Sequence, residues 1–152
     1  ALLHMLVHSL TKSAIFFTVG HASQMHWTQE MDRIKGLIRG NPLVGWGMMF
    51  GVMAIVGMPP FGVFTSEFLI LTATMKDAPL LTPFLLLGFA VAFAALFRRV
   101  QPMVTGPAPS YQRPIKAAHI PVMLHMALVL VIGIYMPDFL NRWFHTAVEL
   151  LK

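Results

Sequence analysis

Four ionisable side chains stand where an apolar chain has least use for charge. His4, His8 and Lys12 recur at four-residue steps in the segment Leu2 to Val19, and Glu67 closes the stretch Gly57-Met-Pro-Pro-Phe-Gly-Val-Phe-Thr-Ser-Glu67. Four-residue steps turn a helix by about 400°, so the three basic side chains share one face, in rungs about 6 Å apart. Histidine titrates nearest neutral pH and suits a relay station. Burial disfavours the charged forms of Lys12 and Glu67, and proximity of one to the other opposes that effect. A pair of this kind passes or holds a proton according to its surroundings. Ser9, Thr11, Ser13, Thr65 and Ser66 are the hydroxyls at hand to hold bridging waters.

The backbone around Glu67 is unusual for an apolar run. Pro59 and Pro60 have no N–H, so the carbonyls of Ile55 and Val56 lose their helical partners and the helix must break. Gly62 follows directly behind. In hydrocarbon such a break survives only where protein or a wet cavity surrounds it. Acids at membrane depth are rare, face the interior and commonly mark ion or proton paths. A broken membrane helix beside a buried acid is a transporter arrangement.

Plain structural roles compete with these. The Lys12 stem is long enough to snorkel to an interface, and His4 and His8 can simply bond neighbouring helices. His119 reads as interfacial, His125 as a secondary candidate deeper in its segment, and His21 and His26 as solvated loop residues. Two histidines at i and i+4 also begin a metal or haem site. With no cysteine in the chain and no carboxylate on that segment, a closed metal site lacks ligands. The expectation is therefore no metal and no cofactor. Phosphate-binding Gly-rich loops, Gly-x-Ser-x-Gly and His-Glu-x-x-His are missing from the sequence, so no soluble-enzyme site is expected.

The elements that must carry these groups are membrane helices. Of 152 residues, 57% are hydrophobic and 11% charged, with a mean hydropathy of +0.70. Disorder is excluded and a soluble domain disfavoured. The net charge of +5 sits between apolar runs, as loop charges of a membrane protein do, which argues against nucleic acid as a partner. The chain opens on Ala in a helix pattern with no signal-peptide layout. It reads as one membrane domain, residues 1–152, forming the C-terminal part of a longer membrane protein.

Taken in order, the expectation is an all-α polytopic protein of about four spans. Leu2 to Val19 is the first, and residues 20–42 a surface loop with a short interfacial helix at Met31 to Ile38. Leu43 to Met75 is the second span, broken at Pro59-Pro60 into halves Leu43 to Gly57 and Phe61 or Gly62 to Met75. Gly45, Gly47, Gly51 and Gly57 line the first half and permit close helix approach. Leu80 to Phe97 is the third, ended by Arg98-Arg99. A proline-rich loop from Val100 to Lys116 precedes the last span, Ala118 to Met136. A short amphipathic helix, Phe139 to Leu151, closes the chain with Trp143 as an interface anchor. Arg33, Lys35, Arg39, Arg98, Arg99, Arg113 and Lys116 fall on one side and Lys76, Arg142 and Lys152 on the other. The excess places the long loops in the cytoplasm and the C-terminus outside.

The segments His4-Met-Leu-Val-His8-Ser-Leu-Thr-Lys12 and Gly57-Met-Pro-Pro-Phe-Gly-Val-Phe-Thr-Ser-Glu-Phe68 resemble the antiporter-like, proton-conducting membrane subunits. Such subunits occur in respiratory complex I, Mrp-type cation/proton antiporters and group 4 hydrogenases. The wording around Pro59 looks most like the hydrogenase-4 component F branch. The resemblance covers residues 4 to 68, and the last two spans fit in number and length only. It implies that Glu67 holds the proton-path position near the gap of a broken helix. It implies that His4, His8 and Lys12 match the ladder of the preceding helix. It also implies two inverted repeats in the whole subunit, of which this chain holds the end of the second. The expected role is proton translocation, with sodium as the alternative ion, in a bacterial or archaeal cell membrane. Energy would come from redox chemistry in partner membrane subunits, the chain itself being non-catalytic. Two rivals remain: a haem-binding anchor using His8 and His125, and a structural membrane subunit that conducts nothing.

Overall fold

The computed structural model describes residues 1–108 and 119–150. Among these, every regular element is helical. Helix α1 spans Leu2–His26, α2 Leu37–Gly40, α3 Pro42–Ile55, α4 Gly62–Asp77, α5 Thr82–Thr105, α6 His119–Ile134 and α7 Asp138–Glu149, with single 3-10 turns at Met31–Arg33 and Pro79–Leu81. Pro109, Arg113, Pro114, Lys116, Ala118, Leu151 and Lys152, which figure in the expectations above, lie outside the described residues.

Helix α1 is the axis of the bundle and packs against α3, α4 and α6. Its buried residues are Leu3, Val7, Thr11, Ala14, Thr18, Ala22 and Met25. Their steps of four, four and three, taken twice, keep one stripe on one side of the helix. Thr11 and Thr18 are fully inside, and their hydroxyls donate to the carbonyls of Val7 at 2.7 Å and Ala14 at 2.6 Å. Three apolar layers follow one another along this stripe. Ala22 and Met25 meet Leu37, Val44 and Val104; Ala14 meets Ala54 and Val129; Leu3 and Val7 meet Val63 and Ile132.

Two boundaries differ from expectation for the same reason. The first helix does not end at Val19 but runs to His26, because Ala22 and Met25 carry the buried stripe one layer further. His21 and His26 are thus helical rather than loop residues. The third long helix does not end at Phe97 but runs to Thr105, because Val100, Met103 and Val104 bury in the same layer. Pro102, expected in a loop, lies inside it. The expected interfacial helix at Met31 to Ile38 is instead the 3-10 turn and the one-turn α2.

Among the described residues, the two helices long and apolar enough to cross a membrane are Leu2–His26 and the stretch Pro79–Thr105, and α6 with α7, bent by 81°, counts as a third if taken as one span. The remaining expected span is the pair α3 and α4, two half-length helices separated by the break. Helix α3 starts cleanly: Asn41 Oδ1 accepts from the Val44 N–H at 3.3 Å and Pro42 occupies the first turn. Its glycines make it a close neighbour, Gly51 facing Ile15 and Gly47 facing Thr18 and Val122. Helix α7 turns back so that Leu140 and Phe144 cover the Leu3–Val7 layer. Arg33, Lys35, Arg98 and Arg99 gather at the His26 end of α1, where Lys35, Arg98 and Arg99 line one cleft with Asp32.

Candidate functional site

The break is built by a defined helix ending. Gly57 adopts φ +71°, its N–H bonds the Ala54 carbonyl at 3.2 Å, and the Met58 N–H bonds the Met53 carbonyl at 3.0 Å. This is the paired 6→1 and 5→2 pattern of a Schellman ending, which needs a left-handed residue at its fifth position. The chain then passes Pro59 and Pro60 and restarts at Gly62, whose missing side chain lets it lie against Val7 and the Val129 carbonyl. On either side stand half-helices about 21 Å and 24 Å long, so the interruption falls well away from both ends of the pair.

Glu67 lies about 7 Å along α4 from the restart. Its carboxyl group rests directly on the Cα of Gly57: a Cβ placed there would collide with Oε2. The group is half-buried and opens into a cleft of about 270 Å³ between the break, α4 and α5. Phe64, Phe68, Leu86 and Phe89 are among the walls, and every lining side chain other than Glu67 is apolar. No ion pair reaches Glu67 among the described residues. A proton acceptor is thus held against backbone at a helix interruption, in a space large enough for water.

His4, His8 and Lys12 run along the flank of the α1 stripe. The rings of His4 and His8 are 5.3 Å apart, both half-buried, while Lys12 is exposed on the described surface. His4 Nδ1 is 2.9 Å from Ser66 Oγ. The ladder therefore meets α4 through the residue next to Glu67. Adjacent helix positions diverge by about 100°. Ser66 faces α1 while Glu67 faces Gly57 and α5. The structure brings His4 to α4, with the His8 ring beside it on α1, and does not bring Lys12 into an ion pair with Glu67.

The remaining candidates are placed as follows. His125 Nδ1 is 2.6 Å from the Pro121 carbonyl, with its ring beside Phe17 at 6.2 Å. Phe17 is about 13 Å of helix rise from His8, so His8 and His125 do not face each other across one ligand. The Ser13 hydroxyl donates within α1, to the Ser9 carbonyl at 3.0 Å. Thr65 has a role the sequence reading missed. Its hydroxyl donates to the Gly133 carbonyl at 3.1 Å. The helical donor to that carbonyl would be residue 137, which is proline and has no N–H. The signal was therefore a Pro four residues after Gly133, with a hydroxyl on a neighbouring helix to replace it.

A histidine ladder on α1 thus flanks a broken helix that carries a carboxyl group at its interruption. The chain belongs to the family described as NADH:quinone oxidoreductase/Mrp antiporter, TM, which matches residues 1–97. It is 42% identical over 151 residues to the hydrogenase-4 component F homolog of Methylacidiphilum infernorum, covering 99% of this chain and 32% of that protein. It is 32% identical over 158 residues to NADH-ubiquinone oxidoreductase chain 4 of Chondrus crispus, covering 100% of this chain and 32% of the relative. With NADH-quinone oxidoreductase subunit M of Pseudomonas aeruginosa it shares 28% identity over 137 residues, 86% of this chain and 26% of the relative. The chain thus spans about a third of the length of the first two of these relatives.

Proposed function

We propose that this chain is part of a proton-translocating subunit of a membrane-bound redox complex, with Glu67 as a proton-carrying group. The observation that carries the reading is a half-buried carboxyl, packed on Gly57 at a helix interruption, in an otherwise apolar cleft. A carboxyl group in that setting is costly unless it binds and releases protons. His4 and His8 act as stations on the α1 side and Lys12 as the charge that biases them. Transfer between the two sides of α4 runs through water at the break, where the first N–H groups of α4 offer polar lining. The names of the relatives, a hydrogenase component and NADH–quinone oxidoreductase chains, support a role beside redox partner subunits. The transported ion is the proton, with sodium as the alternative. The setting is a bacterial or archaeal cell membrane, with the Arg98-Arg99 end cytoplasmic and the chain forming one membrane domain.

The test is Glu67→Gln and Lys12→Ala in the complete complex, reconstituted in vesicles, with proton uptake followed during redox turnover. Glu67→Gln is expected to abolish translocation and Lys12→Ala to weaken it. Unchanged translocation in both variants ends the proposal in favour of a structural subunit.

A further inference from the structure

The hydroxyl of Ser66 makes two close contacts that assign its single proton. Ser66 is 3% exposed, so solvent has little part in the assignment. Its Oγ lies 2.7 Å from the Val63 carbonyl and 2.9 Å from His4 Nδ1. A carbonyl can only accept, so the hydroxyl proton points to Val63. The Ser66 oxygen then meets His4 as an acceptor, and Nδ1 must be the donor.

We propose that Ser66 is a positioning residue that holds neutral His4 in the Nδ1–H form, so that His4 takes up and releases protons at Nε2. In a neutral imidazole one nitrogen donates and the other accepts, so fixing Nδ1–H leaves the lone pair on Nε2. Protonation at Nε2 makes both nitrogens donors, and the Ser66 bond survives the change. His4 can therefore cycle between neutral and charged forms without turning its ring or losing its anchor on α4. Two features suit this use. A cleft of about 170 Å³, lined by His4, Ser66, Leu69 and Ile70 among others, is large enough for several waters. The His8 ring stands 5.3 Å away as the next station. The opposite tautomer would set two acceptors against each other unless Ser66 gave up Val63. The use of this tautomer rests on the proton-transfer reading; the tautomer itself does not.

The experiment is ¹⁵N magnetic resonance on the full-length subunit in its complex, labelled at histidine nitrogens, with His4→Gln to assign the signals. At a pH of about 9, above the ordinary histidine range, His4 is expected to show protonated Nδ1 and bare Nε2. Ser66→Ala is expected to lose this preference, and Ser66→Thr, which keeps a hydroxyl, to restore it. A wild-type His4 protonated at Nε2 alone, or still doubly protonated at that pH, overturns the inference. So does an unchanged tautomer in Ser66→Ala. Failure of the proton-transfer reading looks different: translocation persists in Glu67→Gln while the His4 signals remain as expected.

Discussion

Replacing Gly57 by alanine should damage the site in two separable ways. The residue holds φ +71°, where an L side chain costs about 1–2 kcal/mol. The added methyl would also run into the Glu67 carboxyl, and pushing that side chain off its rotamer costs about 0.5–1.5 kcal/mol. Together the substitution should destabilise by about 2–3 kcal/mol. In a Glu67→Ala background the collision is gone and only the backbone part remains, about 1–2 kcal/mol. The two substitutions should therefore couple by about 1 kcal/mol, which a double-mutant cycle resolves. The assay is the unfolding of the purified full-length subunit, run on wild type, both single variants and the double. Proton uptake by complete complexes carrying the same four subunits should fall in Gly57→Ala, because its carboxyl group has been displaced. Equal cost of Gly57→Ala in both backgrounds would refute the contact between Gly57 and Glu67, and with it the geometry on which the site rests.

Further expectations follow from single contacts. Thr65→Val should cost about 1–2 kcal/mol by leaving the Gly133 carbonyl unsatisfied; thermal unfolding reads it, and adding Pro137→Ala, which supplies an N–H, should recover part of the loss. Gly133→Ala would drive a methyl into the Pro60 carbonyl and the Gly62 nitrogen, so it should destabilise by about 1–3 kcal/mol or more, seen as loss of assembled subunit. Asn41→Ala removes the α3 cap and should cost about 1 kcal/mol in the same unfolding assay. Arg99→Ala should change stability by less than about 0.5 kcal/mol, because its 3.4 Å pair with Asp32 is largely exposed on both sides.

The parts of the fold legible in the sequence were those decided by local chemistry. Pro59, Pro60 and the flanking glycines broke the second helix pair as expected, with halves at Pro42–Ile55 and Gly62–Asp77 against the expected Leu43 to Gly57 and Phe61 or Gly62 to Met75. The terminal amphipathic helix also formed, turned 81° from α6. Where packing decided, local reading stopped short. Gly20 and the polar residues behind it looked like an ending, yet Ala22 and Met25 had a layer to complete. Arg98-Arg99 and Pro102 looked like another, yet Met103 and Val104 belonged to that same layer. At the site, the sequence placed His4 and His8 on one face of α1 but could not say that this face meets Ser66. Which of two adjacent residues, Ser66 or Glu67, turns toward α1 depends on how α4 is rotated. That rotation is set by distant partners such as Gly133, which accepts from Thr65.

The central claim is that the Glu67 carboxyl group gains and loses a proton while the complex turns over. Infrared difference spectroscopy on the intact complex, comparing resting and turning-over states, observes that event itself. A carboxylic-acid band that changes on turnover in wild type and vanishes from the difference spectrum of Glu67→Gln is the result expected. Identical difference spectra from the two proteins would contradict the claim.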